Sequence, residues 1–172
     1  MKNLTAILAT LICFISLPQR AISKNSGVEL TMSEIGQGGM TRIYRGNSTY
    51  MSDILFTWDG KYLYNGNSTY SSDIIATWDG KHIYRGRSTY MSDILSSWDG
   101  KHYFNGNSNY SSDILFSWNG KYLYRGNSSY MSDILATYDH KHIYAGRSEY
   151  SSDILLTIQG AIPIAVLIYI IN

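Results

Sequence analysis

The sequence predicts an all-β protein built from six tandem β-hairpin units of about twenty residues each. When the chain is written in blocks of twenty from Gly46, every block opens with glycine and carries serine third and tyrosine fifth, followed by a Ser-Asp-Ile triplet. Each block also contains two turn signals, which argues against helices. The 172 residues include 16 Tyr and only 2 Pro, and aromatic enrichment of this kind favours strands.

Each unit has the pattern of two short strands joined by a tight turn. In the first unit Ile54, Phe56 and Trp58 alternate onto one face of the first strand. Asp59-Gly60 then predicts a two-residue type I′ turn, with positive φ at both positions, before the return strand 61–64. The same signal recurs as Asp79-Gly80, Asp99-Gly100 and Asn119-Gly120, and more weakly as Asp139-His140 and Gln159-Gly160.

A hairpin of this size cannot bury its own apolar face, so we expect the units to stack. Two architectures remain open, a solenoid and a closed flattened array. In either, residues 46–160 form the repeat domain and 24–45 a degenerate capping hairpin, with strands Val28–Met32 and Thr41–Tyr44. Residues 161–172 are predicted to form an apolar C-terminal strand.

Two periods are superimposed on the repeat. Positions 51 and 45 alternate between units, as Met/Ser and Arg/Asn, which gives a period of forty residues, whereas positions 56 and 63 repeat every sixty. Since copying of one block cannot produce both, we expect the alternation to reflect structure, with Met51 and Ser71 in different environments.

The first residues resemble a secretory signal peptide over 1–23. Lys2 supplies the positive start, 4–17 is an apolar run, and Ala21-Ile22-Ser23 offers a cleavage site before Lys24. The alternative, a membrane anchor, needs about 18 apolar residues. We therefore expect a secreted, periplasmic or cell-surface protein with no transmembrane span in the mature chain. Since Cys13 is the only cysteine, the mature chain would contain no disulfide.

The C-terminal segment is apolar on both faces. One interpretation is a buried closing strand. The other is an interaction strand for polymerisation or membrane contact, because exposed strands of this kind pair with one another.

Two resemblances follow from the repeat unit. Tyr64-Asn65-Gly66 with Asp79-Gly80-Lys81 resembles the short β-hairpin repeats of MORN proteins and of cell-wall choline-binding modules. The pattern from Ile43-Tyr44 to Ser52-Asp53-Ile54 resembles the repeat of the septoil-knot domain. These resemblances imply a tightly wound β fold and transfer no activity.

Catalysis requires unlike groups in one place, whereas a sixfold repeat distributes like ones, so we expect no enzyme and assign no catalytic residue. The six aspartates from Asp53 to Asp153 are expected to accept backbone N–H groups, the alternative being a calcium ladder. We expect no metal or cofactor, because Tyr62 and Tyr122 stand where other units have His82, His102 and His142. His140 replaces a turn glycine and is interpreted as drift. A net charge of +1 does not indicate the basic surface that nucleic-acid binding requires.

Two rows of aromatic side chains are the candidate ligand-binding residues. Such rings stack on sugars or proteins when exposed, and pack between strands when not. One row precedes the hairpin turns and the other lies in the connectors; they comprise Trp58, Trp78, Trp98 and Trp118, and Tyr50, Tyr70, Tyr90, Tyr110, Tyr130 and Tyr150.

Two functions are consistent with the sequence. The first is a structural or adhesive surface protein that acts as a β scaffold and associates with itself, using the C-terminal segment as a contact. The second is a secreted module that binds a carbohydrate or cell-wall polymer through repeated Trp and Tyr positions, with affinity gained by multivalency.

Overall fold

The computed structural model describes residues 39–172. The expected signal peptide and the strand Val28–Met32 lie outside the described residues. The described chain contains twelve strands and a C-terminal α-helix, α1 (Ile164–Ile171). The strands are β1 (Thr41–Arg45), β2 (Ile54–Trp58), β3 (Tyr62–Asn65), β4 (Ile74–Trp78), β5 (His82–Arg85), β6 (Ile94–Trp98), β7 (His102–Asn105), β8 (Ile114–Trp118), β9 (Tyr122–Arg125), β10 (Ile134–Tyr138), β11 (His142–Ala145) and β12 (Ile154–Gln159).

The twelve strands form a closed antiparallel barrel, in which each strand pairs with its neighbours in sequence and β1 pairs with β12. The prediction of an all-β hairpin repeat is confirmed, and of the two architectures left open the closed one is correct. A closed sheet leaves no unpaired strand edge within it, which an open stack of hairpins would expose at both ends.

Strand β1 closes the ring, so the one strand of the expected capping hairpin that the structure describes is part of the barrel. Its register with β12, in which Ile43 opposes Ile158, is the register of Leu63 with Trp58 inside the first hairpin. Its other edge pairs with β2. Because both edges are occupied, β1 serves as the return strand of the sixth hairpin, supplied from the opposite end of the chain.

The C-terminal segment is a helix, and the expected apolar strand is wrong. Pro163 precedes its first turn, and Ala165 to Ile168 are buried in the same apolar cluster as residues of all six hairpins. A strand placed there would find no free edge to pair with in a closed barrel, whereas a helix satisfies its backbone hydrogen bonds internally. A barrel of twelve strands is wider than its own side chains can fill, and α1 occupies that space.

The inner face of the barrel is set by alternation and by a bulge. Leu63 and Phe56 belong to the cluster around α1, whereas Thr57 lies on the other face and its hydroxyl donates to the Gly66 carbonyl at 2.8 Å. A register shift at residue 55 allows Leu55 to pack against the same cluster as Phe56. Trp58 points inward with them.

The hairpin turns differ from the expected type I′. Only the second turn residue has positive φ, 102° at Gly60, and Asp59 does not. The Asp59 carboxylate instead accepts the backbone N–H groups of Lys61 and Tyr62 at 2.8 and 2.6 Å. Aspartate therefore organises the turn through its side chain, which removes the need for a second residue with positive φ.

The expectation that alternating units occupy different environments is also wrong. Met51 and Ser71 are both exposed, as are Arg45 and Asn65. The sixty-residue period at positions 56 and 63 is the one that lies in the lumen around α1. The forty-residue alternation is confined to the surface, where three connectors of one kind alternate with three of the other around the ring.

Candidate functional site

The six connector tyrosines form the most exposed aromatic feature of the described residues. Each lies between 71 and 76% exposed, and each occupies the same place in an equivalent connector. Since the six hairpins close into a ring, the tyrosines are distributed around the barrel. They are Tyr50, Tyr70, Tyr90, Tyr110, Tyr130 and Tyr150.

The connectors hold the backbone of each tyrosine while leaving its ring free. In the first connector the N–H of Tyr50 donates to Ser48 Oγ at 3.2 Å, and its carbonyl accepts from the N–H of Asp53 at 2.9 Å. Ser48 Oγ in turn donates to Asp53 Oδ2 at 2.5 Å. All six tyrosines share φ between −84 and −77° and ψ between 141 and 143°. The tyrosines are therefore presented from a fixed backbone, which lowers the entropy lost on binding.

The role of the repeated aspartates differs in detail from the expectation. The carboxylate of Asp53 accepts a serine hydroxyl five residues earlier, and backbone N–H groups are not its partners. The same Ser–Asp bond recurs in every connector, from Ser68–Asp73 to Ser148–Asp153. Within residues 39–172, no group of three or more His, Cys, Asp or Glu side chains could hold a metal ion.

The tryptophan row does not form an exposed surface for ligand stacking. Trp58 is 1% exposed and Trp78 is also buried, both within the cluster around α1. Trp98 and Trp118 are half-buried and pack against the same cluster. Their rings pack in the barrel because they share the inward face with position 56.

The hairpin tips carry a second repeated polar group. In the second hairpin, Asp79 Oδ2 accepts the hydroxyl of Tyr84 at 2.7 Å and lies 3.0 Å from His82 Nδ1. Burial by itself raises the pKa of Asp79, but the bonds from His82, Tyr84 and Lys81 outweigh it and lower the pKa to about 2. The bond to Asp79 and burial raise the pKa of Tyr84. These charged groups are committed to the turn, so we assign them a structural role.

Sequence reasoning located the tyrosines because tyrosine recurs in a polar connector. It missed the helix, and it could not separate exposed from buried aromatics before the closure of the barrel was known. In residues 39–172, no helix is both long enough and apolar enough to cross a bilayer.

A closed barrel of six like hairpins, with one exposed tyrosine on each connector, defines a β-hairpin repeat protein of ring type. The family model described as the 6-fold beta flower protein matches residues 43–167, and the chain belongs to this family. Comparison with curated proteins found no match, and neither did comparison with solved structures. The membership confirms a short β-hairpin repeat.

Proposed function

We propose that this protein is an exported binding module that contacts a repeating polymer, a glycan or cell-wall polysaccharide, through its six connector tyrosines. The observation that carries the proposal is the exposure of all six rings, at 71 to 76%, on a rigid and equivalent backbone. Exposed aromatic rings offer a large apolar face with a polar hydroxyl, which suits the face of a sugar ring.

Repetition supports a polymer over a small molecule. One exposed tyrosine binds weakly, but six on one rigid body engage a repeating ligand together. The first contact raises the effective concentration of the ligand at the other tyrosines, so the overall affinity rises. The proposal is for binding without catalysis, because the connectors are equivalent and catalysis needs unlike groups in one place.

Self-association by strand pairing is not part of the proposal. The C-terminal segment expected to dock between subunits is buried as α1, and every described strand has two partners in the barrel. A scaffold of this kind would have to associate through side chains.

The second candidate is an adhesive role in which copies of this protein associate through side chains, favoured by three exposed methionines. Met51, Met91 and Met131 are 69, 75 and 67% exposed and each follows a connector tyrosine. Exposed methionine adapts its shape and is enriched at protein-binding surfaces. It offers nothing specific to a sugar.

The test is cosedimentation of the purified protein with a panel of insoluble polysaccharides, chitin, cellulose and peptidoglycan among them. A variant with all six tyrosines changed to serine should lose binding while its circular dichroism and Tm stay close to those of the wild type, since exposed substitutions shift stability by about 0.5 kcal/mol or less each. The matched control is M51S/M91S/M131S, which gives the odd connectors the serine of the even ones and should still bind.

Either of two results would contradict the proposal. If no polysaccharide of the panel binds, a polymer ligand of this class is excluded. If the six-serine variant binds as well as the wild type, the connector tyrosines are excluded as the binding residues. Concentration-dependent association that is lost in M51S/M91S/M131S would instead support the adhesive candidate.

A further inference from the structure

One cleft in the molecule breaks the sixfold pattern. It has a volume of about 450 Å³ and lies between the fourth and fifth hairpin tips. Lys121 contributes from the fourth tip, Tyr138 and His140 from the fifth, and Glu149 from the connector 146–153. Its volume falls within the range of about 300–1,000 Å³ that is common for small-molecule sites.

Three of these four residues depart from the repeat. Tyr138 stands where the first four units have tryptophan, and His140 where the other five units have glycine. Glu149 stands where the earlier connectors have threonine, asparagine or serine. The departures come from two separate segments of sequence, and the fold brings them to one cleft.

His140 holds a backbone conformation that favours glycine. Its φ is 75°, and no other non-glycine residue in 39–172 has positive φ. A side chain in this region costs about 1–2 kcal/mol, which contacts of the imidazole ring can offset. That ring lies 5.4 Å from the ring of Tyr138, and Tyr138 lies 6.3 Å from Trp118. Tyr138 and His140 form an aromatic wall of the cleft.

The facing wall carries opposite charges. Lys121 Nζ lies 2.5 Å from Glu149 Oε1, and both side chains are at least half exposed. A pair this exposed adds little to stability. Asp139 at the edge of the cleft adds a second carboxylate, which accepts the Tyr144 hydroxyl at 2.8 Å. Two carboxylates and one ammonium give the cleft a net negative charge, which disfavours an anionic ligand.

We propose that this cleft binds one neutral sugar residue, and so gives the protein a single specific site in addition to its repeated contacts; the proposal rests on the proposed function for its ligand class. A pyranose ring has an apolar C–H face for the wall of Tyr138 and His140. Its hydroxyl edge both donates and accepts, which matches Glu149 and Lys121. Tyr138 is half-buried, and its hydroxyl stays protonated as a donor, since burial and the charge of Asp139 raise its pKa to about 12.

The experiment is an NMR titration of the purified protein that follows the ring C–H signals of its four histidines. The probes are N-acetylglucosamine and methyl glucoside, with glucuronate as the anionic control. We expect a saturable shift of the His140 signal with a neutral sugar, in the millimolar range, with no saturable shift from glucuronate. Absence of a saturable His140 shift with both neutral sugars overturns the site.

The variants restore the repeat, so that loss of binding does not reflect loss of fold. H140G introduces the glycine of the other tips and E149T the threonine of the earlier connectors. E149T should weaken binding of the sugar by about tenfold or more, measured from the His140 signal. H140G should weaken it by a similar factor, measured from the tyrosine signals because this variant lacks His140. The matched control, H102Y, introduces the Tyr of positions 62 and 122 on another hairpin and should leave affinity unchanged. Equal affinity in H140G, E149T and wild type would overturn the site.

The two proposals fail separately. If the six-serine variant still binds polysaccharide and the His140 shift is present, the proposal for the connector tyrosines is wrong and the proposal for the cleft is retained. If polymer binding depends on the tyrosines but no neutral sugar moves His140, the cleft alone is wrong.

Discussion

The hydroxyl of Tyr44 donates a hydrogen bond of 2.8 Å to Oε1 of Gln159, which lies 115 residues later in the chain. In the first hairpin the equivalent tyrosine, Tyr64, donates to Asp59 only five residues away. The two ends of the sheet thus meet through the same side-chain contact that organises a single hairpin. The closure is therefore a hairpin without its turn, and it determines the shape of the whole molecule.

Removal of β1 should open the barrel and make the protein associate. A chain that begins at Gly46 leaves β2 and β12 each with one unpaired edge, and unpaired edges template pairing with other chains. We expect the molar mass by light scattering to rise with concentration. A chain that begins at Gly39 retains β1 and is the control, with a constant monomer mass. A monomeric, folded chain from Gly46 would contradict the closing role of β1.

Stability should fall in acid through the aspartates of the hairpin tips. Although burial raises their pKa, hydrogen bonds lower it to about 2 for Asp79 and Asp139, below the ordinary value of 3.8. Because the folded-state pKa is the lower one, the stabilisation is present above about pH 4 and is lost as the pH falls towards 2. Both side chains are more than a third exposed, so about 1 kcal/mol each is a realistic contribution after solvent screening.

The variants D79N and D139N test this pH dependence. Asparagine already fills this place in the fourth hairpin, where Asn119 Oδ1 accepts the N–H groups of Lys121 and Tyr122. We expect each variant to have a lower Tm than the wild type at pH 7 and an equal Tm near pH 2. A difference in Tm that stays constant across this range would exclude the aspartates as its source.

The helix α1 should be indispensable for cooperative folding. Leu167 is fully buried in the lumen, and Leu→Ala at such a position costs about 2–5 kcal/mol. The matched control, Ile171→Ala at the half-buried end of α1, should cost less. Deletion of 161–172 should give a chain that binds hydrophobic dyes and unfolds without a sharp transition. If that deletion instead leaves a stable monomeric barrel, α1 is not part of the core.

The lumen contains one polar pair that departs from the sixty-residue period. Ser96 Oγ lies 2.6 Å from the buried hydroxyl of Tyr103. The residue sixty positions after Ser96 is Leu156, which is apolar. Tyr103→Phe should cost about 1–3 kcal/mol because it leaves the serine without a partner. The double variant S96A/Y103F should regain part of that loss in denaturant unfolding. Additive effects of the two substitutions would show that the pair is not coupled.

The repeat predicted the hairpins well because it repeats turn chemistry, and Asp59-Gly60 lies at a tip as expected. The side-chain directions were predicted less well. The bulge at residue 55 changes the alternation locally. Trp58 lies next to a turn, where exposure is expected, but it is buried because its side chain points to the same inner face as Phe56. The β-branched residues of α1 favour a strand by propensity, yet a segment that is apolar all round is also typical of a buried helix.

Part of the candidate site was beyond prediction from sequence. The connector tyrosines were found, since polar connectors lie at the surface. The cleft was not, because Lys121 and Glu149 are 28 residues apart and meet only when neighbouring hairpins pack side by side. His140 was interpreted as drift, although its departure from glycine was the available signal.

The most direct test of the closed barrel is amide hydrogen exchange at Gly46. Its N–H donates to the carbonyl of Leu155 at 2.8 Å across the closure, and Gly66 and Gly86 donate to Leu55 and Ile75 inside continuous hairpins at 2.8 and 2.9 Å. If the barrel is closed, Gly46 should exchange as slowly as Gly66 and Gly86. Fast exchange at Gly46 beside slow exchange at Gly66 and Gly86 would show an open array and contradict the account.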